Sequence, residues 1–247
     1  MRATRTLAEQ LRASGASGVP AAPRHVAVAT RPSSTSPAVE HAPLPPAPPP
    51  LPEASTTPPE ERARSLAALS AEVVGCTRCA LAGGRTQTVF ARGNPLAELC
   101  FVGEGPGADE DASGLPFVGQ AGQLLDKMIA AMGYAPDEVY ICNIVKCRPP
   151  GNRKPEPEEL SACLPYLHQQ LALVSPKVIV ALGATAAHGL LGAPVAITRA
   201  RGSWRLYAGR VPVMPTLHPA YLLRQPEAKR DVWRDLQAVM ERLGKKR

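Results

Sequence analysis

"ELCFVGEGPGADEDASGLPFVGQAGQLLDKMIAAMG", residues 98–133, carries in one stretch the signs that decide the architecture. Leu99 to Val102 form a short apolar run that reads as a buried strand, closed by Gly103, Gly105 and Gly107. Further on, Leu124, Leu125, Met128, Ile129 and Met132 fall at helical spacing and Gly133 stops them. A strand, a glycine-rich turn and an amphipathic helix make one β–α unit, and the chain repeats it. "EVYICNIVKC" (138–147) and "KVIVALG" (177–183) are further apolar strands, and "WRLYAGRVPVMPTLHP" (204–219) reads as a hairpin around Gly209. "ERARSLAALSAEVVG" (61–75), "EPEELSACLPYLHQQLALV" (156–174), "ATAAHGLLG" (184–192) and "DVWRDLQAVMERLG" (231–244) are helical, with Pro165 expected to kink or break the second of these.

Alternating strands and helices predict an α/β domain: a three-layer sandwich whose central, mostly parallel sheet is covered by helices on both faces. Ligands of such sheets bind outside the carboxyl ends of the strands. The segments there are "GEGPG" (103–107), "NIVKCRPPGNR" (143–153) and "TLHPAYLLR" (216–224), so these three loops are expected to meet in one cleft.

The rest of the chain is unlike this. Residues 1–60 hold 13 of the 28 prolines and no strand-like run, a composition that cannot bury enough apolar surface to offset the entropy of ordering it. They are expected to be a disordered, partly polyproline extension ahead of a folded domain over 61–247. Leu7 and Leu11 near the start fit one short amphipathic helix, frayed alone and able to dock on a partner. No apolar core follows Arg2 and Arg5, as a secretory signal needs, and no stretch is long enough to span a membrane. A cytoplasmic protein is the expectation. Lys and Arg outnumber Asp and Glu by 28 to 21, most of the excess lying after residue 60, which suits a polyanionic partner.

Gly103, Gly105 and Ala108 match a dinucleotide-binding G-x-G-x-x-A pattern, yet the chemistry opposes it. Pro106 removes an amide, and Glu104, Asp109, Glu110 and Asp111 would repel a phosphate. A flat neutral ligand against the glycines, with an acid facing a centre that turns positive, fits better.

Of six cysteines, Cys100 and Cys142 lie inside apolar runs and read as small core residues. Cys76, Cys79, Cys147 and Cys163 lie at element ends, in a C-x2-C pair and two dispersed positions that suit either zinc or an iron–sulfur cluster. His218 is the one histidine beside a strand end of the expected cleft; His168 and His188 fall in helices.

Taken together, "CTRC", "GEGPGADED", "GLPFVGQAGQLLD", "NIVKCRPPGNRKPEPEELSAC", "VIVALG" and "HPAYLLR" closely resemble the family 4 uracil-DNA glycosylases, the bacterial and archaeal type with a 4Fe-4S cluster. The resemblance runs from about Cys76 to the C-terminus. It implies that Cys76, Cys79, Cys147 and Cys163 hold a structural 4Fe-4S cluster, and that the chain flips uracil out of single- or double-stranded DNA and hydrolyses its glycosidic bond. Glu104 and His218 are the implied catalytic pair. Gly105, Glu110, Phe117 and Asn143 are the implied uracil-binding set, with Glu110 excluding the thymine methyl. Arg148, Arg153, Tyr221, Leu222 and Arg224 are the implied DNA contacts. Some relatives carry a basic, histidine-bearing insertion after the second strand and trap DNA covalently; "KCRPPGNRKPEPEEL" has none, so a monomeric enzyme that turns over is expected. The alternative is a non-catalytic nucleic-acid-binding module with a metal staple, tethered through the proline-rich arm to a replication or repair partner.

Overall fold

A computed structural model describes residues 57–245. Its strands are β1 (Ala91–Gly93), β2 (Leu99–Gly103), β3 (Val139–Asn143), β4 (Val178–Leu182), β5 (Arg205–Tyr207) and β6 (Val211–Thr216). Its α-helices are α1 (Pro59–Val74), α2 (Ala108–Ser113), α3 (Gln120–Ala131), α4 (Pro157–Val174), α5 (Ala184–Leu191), α6 (Ile197–Ala200), α7 (Pro219–Arg224) and α8 (Lys229–Arg242). The sheet order is β1-β3-β2-β4-β6-β5. The four inner strands run parallel, with Phe101 opposite both Ile141 and Val180, and the two outer strands are antiparallel to their neighbours.

The pleat sorts the strand residues into two layers. Cys100, Val102, Cys142, Ile179 and Ala181 face α1, α4 and α5, meeting Leu66, Leu69, Val73, Leu167, Leu171 and Ala187. Leu99, Phe101, Val139, Ile141, Val178 and Val180 face the other way, against Leu125 and Ile129 of α3 and Val232, Leu236 and Val239 of α8. A strand buried on both sides needs a continuous apolar run, which is what β2, β3 and β4 contain. The expected three-layer α/β sandwich is therefore the observed one.

Some local expectations change. Helix α1 starts at Pro59, two residues before the expected boundary, because proline suits the first helical turn, where its missing N–H costs nothing. The rest of the proline-rich arm, on which the expectations of disorder and of a short N-terminal helix fall, lies outside the described residues. Pro165 does not break α4, which runs on to Val174; the proline faces solvent, so water can satisfy the carbonyl it leaves unpaired. Strand β1 has no apolar signature and exists because the open edge of β3 pairs with it, Ala91 opposite Cys142.

Candidate active site

At the carboxyl ends of the parallel strands lies a cleft of about 690 Å3, lined by residues from all three loops marked in the sequence and by the start of α5. Two loops are joined by backbone: the amide of Ile144 donates to Gly103 O at 2.9 Å, and that of Val145 to Glu104 O at 3.1 Å. Glu104, next after β2, lines the cleft and accepts a hydrogen bond at Oε2 from Thr185 Oγ1. Gly105 follows it, with room for nothing larger: a Cβ there would lie 2.7 Å from Val145 Cγ2.

Glu110, in the first turn of α2, does not point a free carboxylate outward. Oε2 accepts from the amide of Gly107 at 3.0 Å, and Oε1 accepts from those of Val118 (3.0 Å) and Gly119 (2.9 Å). It ties both ends of the loop to its own helix and stands as a fixed part of the wall.

Phe117 is 5% exposed and held in the left-handed region at φ +57°, a backbone conformation a bulky residue adopts only when its surroundings impose it. Two close approaches impose it. A Cβ on Gly103 would meet the Phe117 ring at 2.4 Å, and one on Gly122 would meet the Phe117 carbonyl oxygen at 1.8 Å. Arg92 of β1 donates to Pro116 O at 2.8 Å and Phe117 O at 3.2 Å, and pairs with Asp126 at 2.5 Å. The ring stands 5.7 Å from that of His218, tilted by 31°.

Asn143 ends β3, 1% exposed, and its Oδ1 is buried without a hydrogen-bond partner in the protein. An unmatched buried amide oxygen is costly, and from the cleft wall this one is able to accept from a ligand donor. His218 caps α7: Nδ1 accepts from the amide of Ala220 at 3.1 Å, which assigns the proton of the neutral ring to Nε2. Burial, and then the cation of Arg224, push its pKa down to about 4, so near neutral pH it is an uncharged donor. Behind it, Arg201 and Thr216 both bond buried Asp235, at 2.7 and 2.6 Å, and hold the end of β6 against α8.

The residues implied to touch DNA divide. Tyr221 is 39% exposed and Arg224 also faces solvent, both on the cleft rim. Arg148 is half-buried and bonds Asn152 at 2.8 Å. Arg153 also borders the cleft, but its guanidinium is engaged with Glu159 through bonds of 2.8 and 2.7 Å at the start of α4. Leu222 is a correction: it is 1% exposed and packed in the core, because the short helix turns it inward, and the apolar tip beside Tyr221 that reaches solvent is Leu223, 44% exposed. Thr185 and Arg92 belong to the site without lying in any of the motif segments quoted for it. A hydroxyl in the first turn of the helix after a strand end is the sole hint of the first, and nothing local marks the second. Every charged side chain between Glu159 and Glu227 is a cation, a bias that favours a polyanion on this part of the chain.

Away from the cleft, Cys76, Cys79, Cys147 and Cys163 line one pocket with Arg85, Lys146 and Tyr166. Cys163 is not at an element end as expected but within α4, one turn and a half from its start. Arg85 donates to Cys147 Sγ at 3.3 Å, and the amide of Lys146 donates to Cys163 Sγ at 3.3 Å. Burial pushes the Cys163 thiol up to about 11 and raises that of Cys147, against the pull of Arg85. Among the described residues no three His, Cys, Asp or Glu side chains converge as ligands of a single metal ion. Four thiols at one pocket are residues that could hold a metal ion or an iron–sulfur cluster. Cys100 and Cys142 are fully buried core residues, as expected.

Comparison with known proteins agrees with this geometry. Residues 90–237 match the model of the uracil DNA glycosylase superfamily. The chain is 47% identical over 172 residues to the type-4 uracil-DNA glycosylase of Thermotoga maritima, covering 68% of this chain and 90% of that protein. It is 41% identical over 185 residues to that of Sulfurisphaera tokodaii, covering 72% and 84%. A type-5 uracil-DNA glycosylase of Thermus thermophilus matches less well, 35% over 51% of this chain. A parallel sheet with a glycine-lined cleft at its carboxyl end, and matches that span both, establish that the chain belongs to the type-4 uracil-DNA glycosylases.

Proposed function

We propose that this chain removes uracil from DNA by hydrolysing the glycosidic bond, leaving an abasic site for base excision repair. The observation that carries this reading is the buried, unmatched Oδ1 of Asn143 in a cleft that also holds Phe117, Glu104 and His218. Uracil offers a donor at N3–H for that oxygen and an acceptor at O4 for the amide nitrogen, whereas cytosine presents the reverse.

The target base must leave the duplex, at a cost of a few kcal/mol, and stacking on Phe117 returns about 1–3 kcal/mol. As the C1′–N1 bond lengthens, positive charge grows on the sugar and negative charge on the base. Glu104 faces the first, orienting a water and taking its proton as the oxygen bonds to C1′. His218, neutral with its proton on Nε2, donates to uracil O2 and supports the second; the departing uracil anion then takes a proton from solvent. The Gly105 amide lies within the base pocket. Glu110, immobilised by three amides, forms the wall against the thymine methyl. Tyr221 and Leu223 suit a wedge at the base stack, and Arg148, Arg153 and Arg224 suit phosphates.

Cys76, Cys79, Cys147 and Cys163 are the residues that would hold a 4Fe-4S cluster. When bound, the cluster supplies a cross-link, joining the end of α1, the loop after β3 and α4. No described helix is long and apolar enough to cross a membrane. We place the enzyme in the cytoplasm, at the nucleoid, as a monomer whose folded domain starts with α1 at Pro59. Its proline-rich arm would serve as a tether to a replication or repair partner.

The test is incubation with a uracil-containing oligonucleotide followed by alkali. Strand breakage above a uracil-free control is expected, with Glu104→Gln and His218→Ala each lowering the single-turnover rate about 100- to 10,000-fold while DNA binding persists. Binding without breakage in the unmodified protein would instead establish a non-catalytic nucleic-acid module.

A further inference from the structure

One contact in the cleft is not used by the chemistry above. Thr185 is the second residue of α5, which begins directly after β4, while Glu104 directly follows β2. Those strands are neighbours, Val102 opposite Ala181, so their trailing loops leave the sheet side by side. The Thr185 hydroxyl crosses the gap and donates to Glu104 Oε2. Both residues line the cleft and both are partly open to it.

The location explains why the hydroxyl is free for this. A threonine inside a helix commonly bonds back to the carbonyl four residues earlier. For Thr185 that residue is Ala181, which belongs to β4 and pairs with β6 through the register Ala181 to Pro215. At the first turn the hydroxyl is turned instead toward the neighbouring loop.

We infer that Thr185 is the positioning residue for Glu104: its hydroxyl fixes the carboxylate rotamer and engages Oε2, so that Oε1 is the oxygen presented to the attacking water. This rests on the reading of Glu104 as the group that orients that water. A glutamate side chain in an open cleft has several rotamers to choose among, and misplacement of a reacting group by an ångström lowers rates steeply.

The experiment uses the full chain with its metal content unchanged and a uracil oligonucleotide under single-turnover conditions. Thr185→Val keeps the shape and removes the donor; Thr185→Ser keeps the donor. The valine variant is expected to lose about tenfold in rate, and the serine variant to recover to within about threefold. Binding to an abasic-site oligonucleotide is expected to be unchanged in both. In the Glu104→Gln background, Thr185→Val is expected to add no further loss. A valine variant with the rate of the parent overturns the inference, as does a tenfold loss that the serine variant shares or that persists undiminished in the Glu104→Gln background. If the valine variant melts early, Thr185→Ala against Thr185→Ser carries the same comparison. A Glu104→Gln enzyme as fast as the parent overturns the assignment of Glu104 itself, a failure distinct from an inert Thr185.

Discussion

On one face of the sheet, Leu125, Ile129, Val232, Leu236 and Val239 close over Leu99, Phe101, Val178 and Val180 through apolar contacts. On the other, Cys76, Cys79, Cys147 and Cys163 gather at one pocket, and buried polar atoms of His168, Gln170 and Tyr207 lack a hydrogen-bond partner in the protein. The first face is closed by apolar side chains; the second mixes them with thiols and polar atoms. The difference separates two jobs. Phe117 belongs to the apolar face, so the surface proposed for stacking depends on close packing, whereas the loop carrying Arg148 is held by residues that a cluster would bind together.

The largest effect is expected on the thiol face. Cys147→Ser, or stripping the metal with a chelator and oxidant, is expected to lose bound iron and to lower the melting temperature by more than about 10 °C, since metal binding is folding free energy in such sites. Iron analysis and calorimetry check it; full iron or an unmoved transition would erase the distinction between the faces. A second test addresses the packed face. Gly122→Ala drives a methyl group into the Phe117 carbonyl and is expected to cost about 3 kcal/mol in urea unfolding, with iron retained. The smallest effect sharpens the boundary between core and DNA surface. Leu222→Ala is expected to cost about 2–3 kcal/mol, whereas Leu223→Ala should change stability by less than about 0.5 kcal/mol and weaken DNA binding, measured by unfolding and by fluorescence anisotropy.

The inner strands were legible because burial on both sides demands uninterrupted apolar runs, and the cleft was legible because polar, glycine-bearing segments follow those runs. Glu104, Phe117, Asn143 and His218 all come together there. What the sequence did not reveal was decided by partners far along the chain. Ala91-Arg92-Gly93 becomes a strand because β3 has an open edge, and Arg92 then reaches the Phe117 carbonyl. Leu222 and Leu223 are the same residue type one position apart; which of them meets solvent depends on the rotation of a single helical turn. For Glu110, identity alone could not distinguish an acid facing the ligand from one bonded to three amides.

The two outer strands are each three residues long, carry Arg92 and Arg205, and run against the direction of the four between them. A sheet of this kind offers a second chain few unpaired groups to bind at either end, and on β5 those few stand beside the exposed Arg205. Growth of the sheet by addition of further copies is thereby discouraged, so at one edge a cation of the stretch that suits a polyanion also opposes stacking of the protein on itself.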